Sequence, residues 1–273
     1  MYHDYWGLDR SPFESDGDLD LFVSTPEVDA VLLKLRYLLD RPQAAGALVG
    51  STGVGKTTVL RQLISEFAAA TPEGVSVRVV YPRLRPCELL ATLAVRLGAD
   101  PSEVDSTRVG LDRVLAVLQQ TLTAATGPVL IAIDDAHTID DPETWQALRL
   151  LTNLRETDGI GFTLLLAGQN ELLGRLKQHP ELAARVPLRV ALPPLCPTSV
   201  VKYVQTRLAK SGCQQEPFDA PALAELAASA DGIPRRINER ADLCLLLGVA
   251  DRLPMLTAGE VKAASGELDA VLG

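Results

Sequence analysis

The run VGSTGVGKTTVL, from Val49 to Leu60, places the strongest constraint on what this chain can fold into. It fits G-x-x-x-x-G-K-[ST], with Gly50 and Gly55 at the glycine positions, then Lys56 and Thr57, and a further Gly53 inside the loop. Only glycine readily takes the backbone angles that turn successive N–H groups inward onto one anion. Residues Gly50, Ser51, Thr52, Gly53, Val54, Gly55, Lys56, Thr57 and Thr58 therefore read as a cradle for a nucleoside triphosphate, with ATP and Mg²⁺ as the expected ligands. Lys56 would reach the β- and γ-phosphates, and Thr57 would set its hydroxyl on Mg²⁺. The helix starting at Thr57 would offer the phosphates its positive end. A glycine-rich turn before an ordinary helix is the bland alternative. The flanks speak against it, because AGALVG before the loop is a short apolar strand and TTVLRQLISEFAAA after it is an amphipathic helix.

Beyond the loop, strand-like runs alternate with helical ones: Val75 to Pro82, Val129 to Ile133, Phe162 to Ala167 and Leu188 to Leu192. With Ala45 to Val49 they make five. Helical patterns lie between them, so the expected fold class is α/β, a P-loop NTPase αβα sandwich with a five-stranded, mainly parallel sheet. After the LPPLCP stretch the strand signal stops, and helices are expected around 198 to 210, 220 to 230, 234 to 248 and 257 to 271. Upstream, STPEVDAVLLKLRYLLD offers Ser24 or Thr25 as N-cap and apolar positions 28, 31, 32, 35, 38 and 39 as one buried helix face. The expected organisation is an N-terminal segment and helix over 1–44 packed on the core, an ATPase core over 45–196, and a small all-helical lid over 197–273. Aromatic residues are sparse at 4%, yet MYHDYWGLDRSPF is rich in them. That segment either helps enclose a base or anchors itself in a hydrophobic core.

Two carboxylates end the apolar run VLIAIDDAH. Asp134 stands where a P-loop protein holds Mg²⁺, and Asp135 where a general base or water-orienting residue would be. Two such acids can also simply cap the next helix, but the upstream P-loop in the right element order favours the metal reading. His137 could position water, although a solvated loop residue is the simpler reading. Gln169, in AGQNELL, carries an amide able to orient attacking water or the γ-phosphate, because ligands gather at the carboxyl ends of parallel strands. Asn170 reads as a helix cap. Arg185 and Arg189 flank the fifth strand's start, and Arg235 and Arg236 open a helix; the guanidinium fork suits phosphate oxygens.

The net charge of −9 disfavours a broad nucleic-acid footprint, which needs clustered Lys and Arg, while leaving local basic patches open. No signal-type segment opens the chain, and LCLLLGVA is far too short to span a bilayer, so a soluble, cytoplasmic protein without a membrane span is expected. Cys87, Cys196, Cys213 and Cys244 form no C-x-x-C pair and read as buried free thiols.

In order and spacing, YWGLDRSPF, GSTGVGKTT, IDDAH, LRLLTNLRE, LLLAGQNELL and GIPRRIN resemble the AAA+ ATPases of the ExeA type, also called general secretion pathway protein A. The resemblance covers nearly the whole chain. It implies oligomerisation on nucleotide binding, with Asp135 activating water, Gln169 as sensor 1, Arg185 as an arginine finger given to a neighbour and Arg235 as sensor 2. Relatives usually carry Asp-Glu where this chain has Asp134-Asp135, which draws the second carboxylate back by about 1.5 Å and implies slow hydrolysis. Val28 stands where relatives often have histidine. Secretion members continue into a transmembrane helix and a cell-wall-binding region, so coupling to the periplasm is expected to need another component.

The leading expectation is an oligomerising ATPase that drives or regulates assembly of a protein partner, in secretion or pilus biogenesis. A DNA transposition regulator similar to TniB, TnsC and Mu B, and a nucleotide switch that hardly turns over, are the alternatives.

Overall fold

The computed structural model describes residues 2–14, 18–41, 45–158 and 160–272. Parts of the expected 1–44 segment (position 1, 15–17 and 42–44), position 159 of the core and position 273 of the lid lie outside the described residues.

After the short helix α1 (His3–Trp6) and α2 (Pro26–Leu39) comes β1 (Ala45–Val49), which runs through the glycine loop into α3 (Lys56–Ala70). There follow β2 (Val75–Val79), α4 (Pro86–Arg96), α5 (Leu111–Ala124), β3 (Val129–Ile133), α6 (Pro142–Asp158), β4 (Phe162–Gly168), α7 (Glu171–Gln178), α8 (Pro180–Arg185) and β5 (Leu188–Ala191). The remainder is helical: α9 (Pro197–Lys210), α10 (Ala220–Ser229), α11 (Pro234–Ala250) and α12 (Ala258–Leu272). All five expected strands form, and every pairing is parallel, in the order β2-β3-β4-β1-β5. The chain thus has a P-loop NTPase-like α/β fold followed by a helical C-terminal region. β1, β3 and β4 are buried along their whole length, as continuous Val, Leu, Ile and Ala runs require of interior parallel strands.

The chain divides into two compact units. One comprises Val31–Gly50 and Val59–Leu192 and is built on the sheet. Its core joins strand residues such as Ile131, Ile133, Leu164 and Leu166 to Leu89, Leu93, Val114, Leu118, Trp145 and Leu148 of the helices. Burying such side chains supplies about 1.5–3 kcal/mol each.

The other unit gathers Met1–Ala30, Ser51–Thr58 and Pro193–Gly273. Its core packs Trp6, Leu8 and Phe13 among Val200, Val204, Leu226, Ile237, Ala241 and Leu245. Of the two roles open to the aromatic opening, the structure therefore gives Trp6 and Phe13 that of an anchor. The Trp6 indole N–H donates to the Leu245 carbonyl at 2.9 Å. Buried Arg207 donates to the carbonyls of Pro12 and Glu14, and Lys210 Nζ to those of Asp20 and Phe22 at 2.9 and 2.8 Å. Of the two candidate caps of α2, Thr25 accepts the Val28 N–H, whereas Ser24 bonds Asp29. Val28, Val31, Leu32, Leu35 and Leu38 form the buried stripe of α2, whereas Leu39, expected on the same face, is half-buried.

The expectation of buried thiols holds for Cys213 and Cys244 but not for half-buried Cys87 or for Cys196, which is exposed at the N-cap of α9. There the Cys196 N–H and the Ser199 hydroxyl both donate to Glu27, at 3.0 and 2.8 Å. Partial burial pushes the Glu27 carboxyl up, but these donors and the Cys196 side chain outweigh it and hold the group at about 2. Among the described residues no helix is long and apolar enough to cross a membrane.

Candidate functional site

The glycine loop leaves β1 at Gly50. Gly53 and Gly55 adopt φ of +77° and +104°, conformations closed in practice to most other residues. A Cβ added at Gly55 would meet nothing within 4 Å, so this loop face opens into space, as a phosphate cradle requires. Lys56 is buried, and its Nζ donates to the Ser51 carbonyl at 2.9 Å, which also takes the Val54 N–H at 3.4 Å. Thr57 is exposed in the first turn of α3, with Thr58 half-buried behind it, and Ser51 and Thr52 lie half-buried and exposed in the loop. A buried cation, a glycine cradle and hydroxyls at the positive end of a 15-residue helix form a donor set that fits a nucleoside triphosphate with its magnesium.

Gly53 has a second reason to be glycine. Its carbonyl accepts the Arg235 N–H at 3.2 Å, and a Cβ there would lie 2.9 Å from Arg235 Cβ and 3.2 Å from Ile233 Cγ2. The GIPRRIN stretch makes this approach by turning at Gly232, φ +67°, and starting α11 at Pro234, a favoured first helical residue. Arg235 is exposed, whereas Arg236 is engaged with Asp231 at 2.6 Å.

At the carboxyl end of β3, Asp134 is buried, and its N–H extends the sheet by donating to Val79. Its Oδ1 accepts the Asp135 N–H at 3.1 Å. Asp135 is exposed and holds φ +49°, uncommon for a side chain other than glycine's. Neither acid is needed to cap α6: Asp141 does so, accepting the Glu143 N–H at 3.0 Å and the Thr144 hydroxyl at 2.9 Å.

His137 corrects an expectation. It is not solvated: its side chain is 13% exposed, and its Nδ1 is buried without a hydrogen-bond partner. The imidazole packs on Gly168, the last residue of β4, where an added Cβ would stand 3.1 Å from Nδ1. Nδ1 is also 3.9 Å from Asp135 Oδ1. The next residue, Gln169, is half-buried, and its carbonyl accepts the Leu172 N–H at 2.9 Å. Asn170 occupies the N-cap of α7, yet its side chain makes no capping bond. Since Val49 pairs in register with Gly168, Gly50 and Gln169 leave neighbouring strands at the same end of the sheet.

Arg185 is the half-buried last residue of α8. That helix is held by the His179–Trp145 ring stack, 5.5 Å between centroids, and by Arg149–Glu181 at 3.0 Å. Arg189 is tied to the carbonyls closing α8, those of Ala183 and Val186, at 3.1 and 3.3 Å. The structure thus brings Gly53 to Arg235, Asp135 to His137, and His137 to Gly168. Sequence reasoning passed over Gly168 and Ile233; a glycine ending a buried strand beside a histidine loop was the available signal for the first, and none pointed to the second.

The family model described as AAA domain matches residues 39–176. The chain is 30% identical to General secretion pathway protein A of Aeromonas hydrophila over 274 residues, covering 99% of this chain and 49% of that protein. It therefore spans about half the length of that relative. Among solved structures, it is similar to Cdc6p from Pyrobaculum aerophilum, with TM-score 0.77 and 18% identity over 95% of this chain and 71% of that one. It is also similar to the Aeropyrum pernix ORC1 protein in complex with DNA, with TM-score 0.72 and 19% identity over 91% and 67% of the two chains.

Proposed function

The chain belongs to the AAA domain family, and from that membership we propose that it binds ATP with Mg²⁺, hydrolyses it and uses the cycle to drive assembly of a partner machine. The observation that carries this reading is the glycine loop, open at Gly55 and holding the buried cation of Lys56. Gly50 to Thr58 would wrap the phosphates, with Lys56 toward the β- and γ-phosphates. Thr57 and Asp134 would hold Mg²⁺, which when bound neutralises charge on the phosphate oxygens.

In hydrolysis a water oxygen bonds to the γ-phosphorus while the bond to the β–γ bridging oxygen breaks, its electron pair leaving with ADP. Asp135 would accept the water's proton, and Gln169 would orient the water. Arg185 would steady the developing charge at a neighbouring subunit's nucleotide, and Arg235 would contact phosphate within its own. Oligomerisation is part of this proposal, as are a secretion-related partner, suggested by the Aeromonas relative, and a cytoplasmic location. A slow nucleotide switch is the second reading, supported by the short Asp135 carboxylate in the place of the usual glutamate.

The test is ATP binding by calorimetry together with phosphate release. Parent protein should do both, and Lys56→Ala should lose binding by about 100-fold or more, since the lost partner is a charge-assisted one. Unchanged affinity in Lys56→Ala would end the P-loop reading.

A further inference from the structure

We propose that His137 is a positioning residue for hydrolysis: its Nδ1–H holds one oxygen of the Asp135 carboxylate and leaves the other to face water. The inference rests on the ATPase reading above. A buried imidazole nitrogen without a partner is costly and calls for a reason. The ring edge is backed closely by Gly168, where an added Cβ would stand 3.1 Å from Nδ1, so no acceptor meets it on that side. The nearby acceptor can move. The Asp135 side chain is 53% exposed, and its Oδ1 lies 3.9 Å from Nδ1, so a small rotation closes a hydrogen bond.

The backbone beneath that carboxylate is fixed. The Asp135 carbonyl accepts both the Thr138 N–H and the Thr138 hydroxyl at 2.8 Å, and the residue keeps its left-handed φ. Sparse backbone conformations of this kind persist where surroundings over-determine them, and they cluster at working sites. A base held by a third group is the arrangement expected when a proton must be taken from a well-placed nucleophile. It matters more here than with a glutamate, because a shorter carboxylate tolerates less misdirection.

The experiment uses the full chain with His137→Leu, His137→Asn and Gly168→Ala. His137→Leu keeps the volume and removes the donor; it should lower kcat about 10- to 100-fold with KM within about twofold. His137→Asn returns an N–H near the δ position and should recover most of that loss. Gly168→Ala, whose Cβ would press on the ring at 3.1 Å, should lower kcat by less than His137→Leu. By calorimetry, His137→Leu should bind a non-hydrolysable ATP analogue as the parent does, yet bind ADP with aluminium fluoride, a transition-state mimic, at least about tenfold more weakly. Parent-like kcat in His137→Leu, or equal losses in His137→Leu and His137→Asn, overturns the positioning role while the ATPase reading stands. A parent protein that binds ATP but never hydrolyses it overturns both.

Discussion

Replacing Gly53 with alanine should destabilise the protein even when no nucleotide is bound, for two separable reasons. At φ +77° an alanine is strained by about 1–2 kcal/mol. Its Cβ would also sit 2.9 Å from Arg235 Cβ and 3.2 Å from Ile233 Cγ2, an overpacking worth about 1–3 kcal/mol. The total is about 2–5 kcal/mol. Gly55→Ala meets no neighbour within 4 Å, so it carries backbone strain alone, about 1–3 kcal/mol. A double-mutant cycle separates the two terms. Arg235→Gly removes the atom that the new methyl strikes, at a helix cost of about 1 kcal/mol. The Gly53→Ala and Arg235→Gly pair should therefore couple by about 1–2 kcal/mol, and the Gly55→Ala and Arg235→Gly pair by less than about 0.5 kcal/mol. Urea unfolding in a Trp145→Phe background leaves Trp6 as the reporter, since the chain has 2 tryptophans. Equal coupling in the two cycles would refute the claim that α11 packs against the loop at Gly53.

Asp135→Asn should bind ATP with parent affinity and stall before phosphate release, whereas Asp135→Glu should raise turnover if reach limits the rate; a fall in Asp135→Glu would show a site fitted to aspartate. The depressed Glu27 carboxyl makes stability depend on acid: its contribution is complete above the unfolded value of 4.5 and is lost as pH falls toward about 2. Urea midpoints should accordingly drop as pH falls from 4.5 toward about 2 in the parent, and Glu27→Gln should start lower and flatten that slope. Arg185→Ala should keep ATP affinity and lose turnover by about a thousandfold, and mixing it with Lys56→Ala should restore activity at shared interfaces. Full activity in Arg185→Ala, or co-assembly without rescue, would count against action in trans and turn attention to Arg189.

The strands were legible because buried parallel strands leave uninterrupted apolar runs, and β1 and β3 end where those runs end. The four C-terminal helices were legible from apolar periodicity, with Pro or Asp at the starts of α9, α10 and α11 and Thr257 before α12. The burial of His137 was not. A histidine after two acids in a turn carries the pattern of a solvated loop, and the residue that backs the ring, Gly168, lies 31 positions later. The same limit applies to Gly53. Its neighbours Ile233 and Arg235 lie some 180 residues downstream, and no local rule links a loop glycine to a distant helix start. Cys196 differs for another reason: cysteine is usually buried, but this one stands exposed at the N-cap of α9.

The opening of the chain illustrates how long-range closure shapes the helical unit. Trp6 fills a site beside Leu245 and against Gly248, where an added Cβ would come within 2.8 Å of the indole. Arg207 is a buried cation whose bonds run to the carbonyls of Pro12 and Glu14 and to the Tyr203 hydroxyl, itself bonded to Asn238. Without residues 2–14 that guanidinium would lose its carbonyl acceptors, and the hydrophobic cluster would lose Trp6, Leu8 and Phe13. Leaving a buried cation under-partnered is among the more destabilising changes open to a protein. Helices α9 to α12 therefore depend on a segment nearly 200 residues upstream, and the aromatic richness of that segment follows from packing: it supplies large apolar side chains to a core made mostly of Leu, Val and Ala.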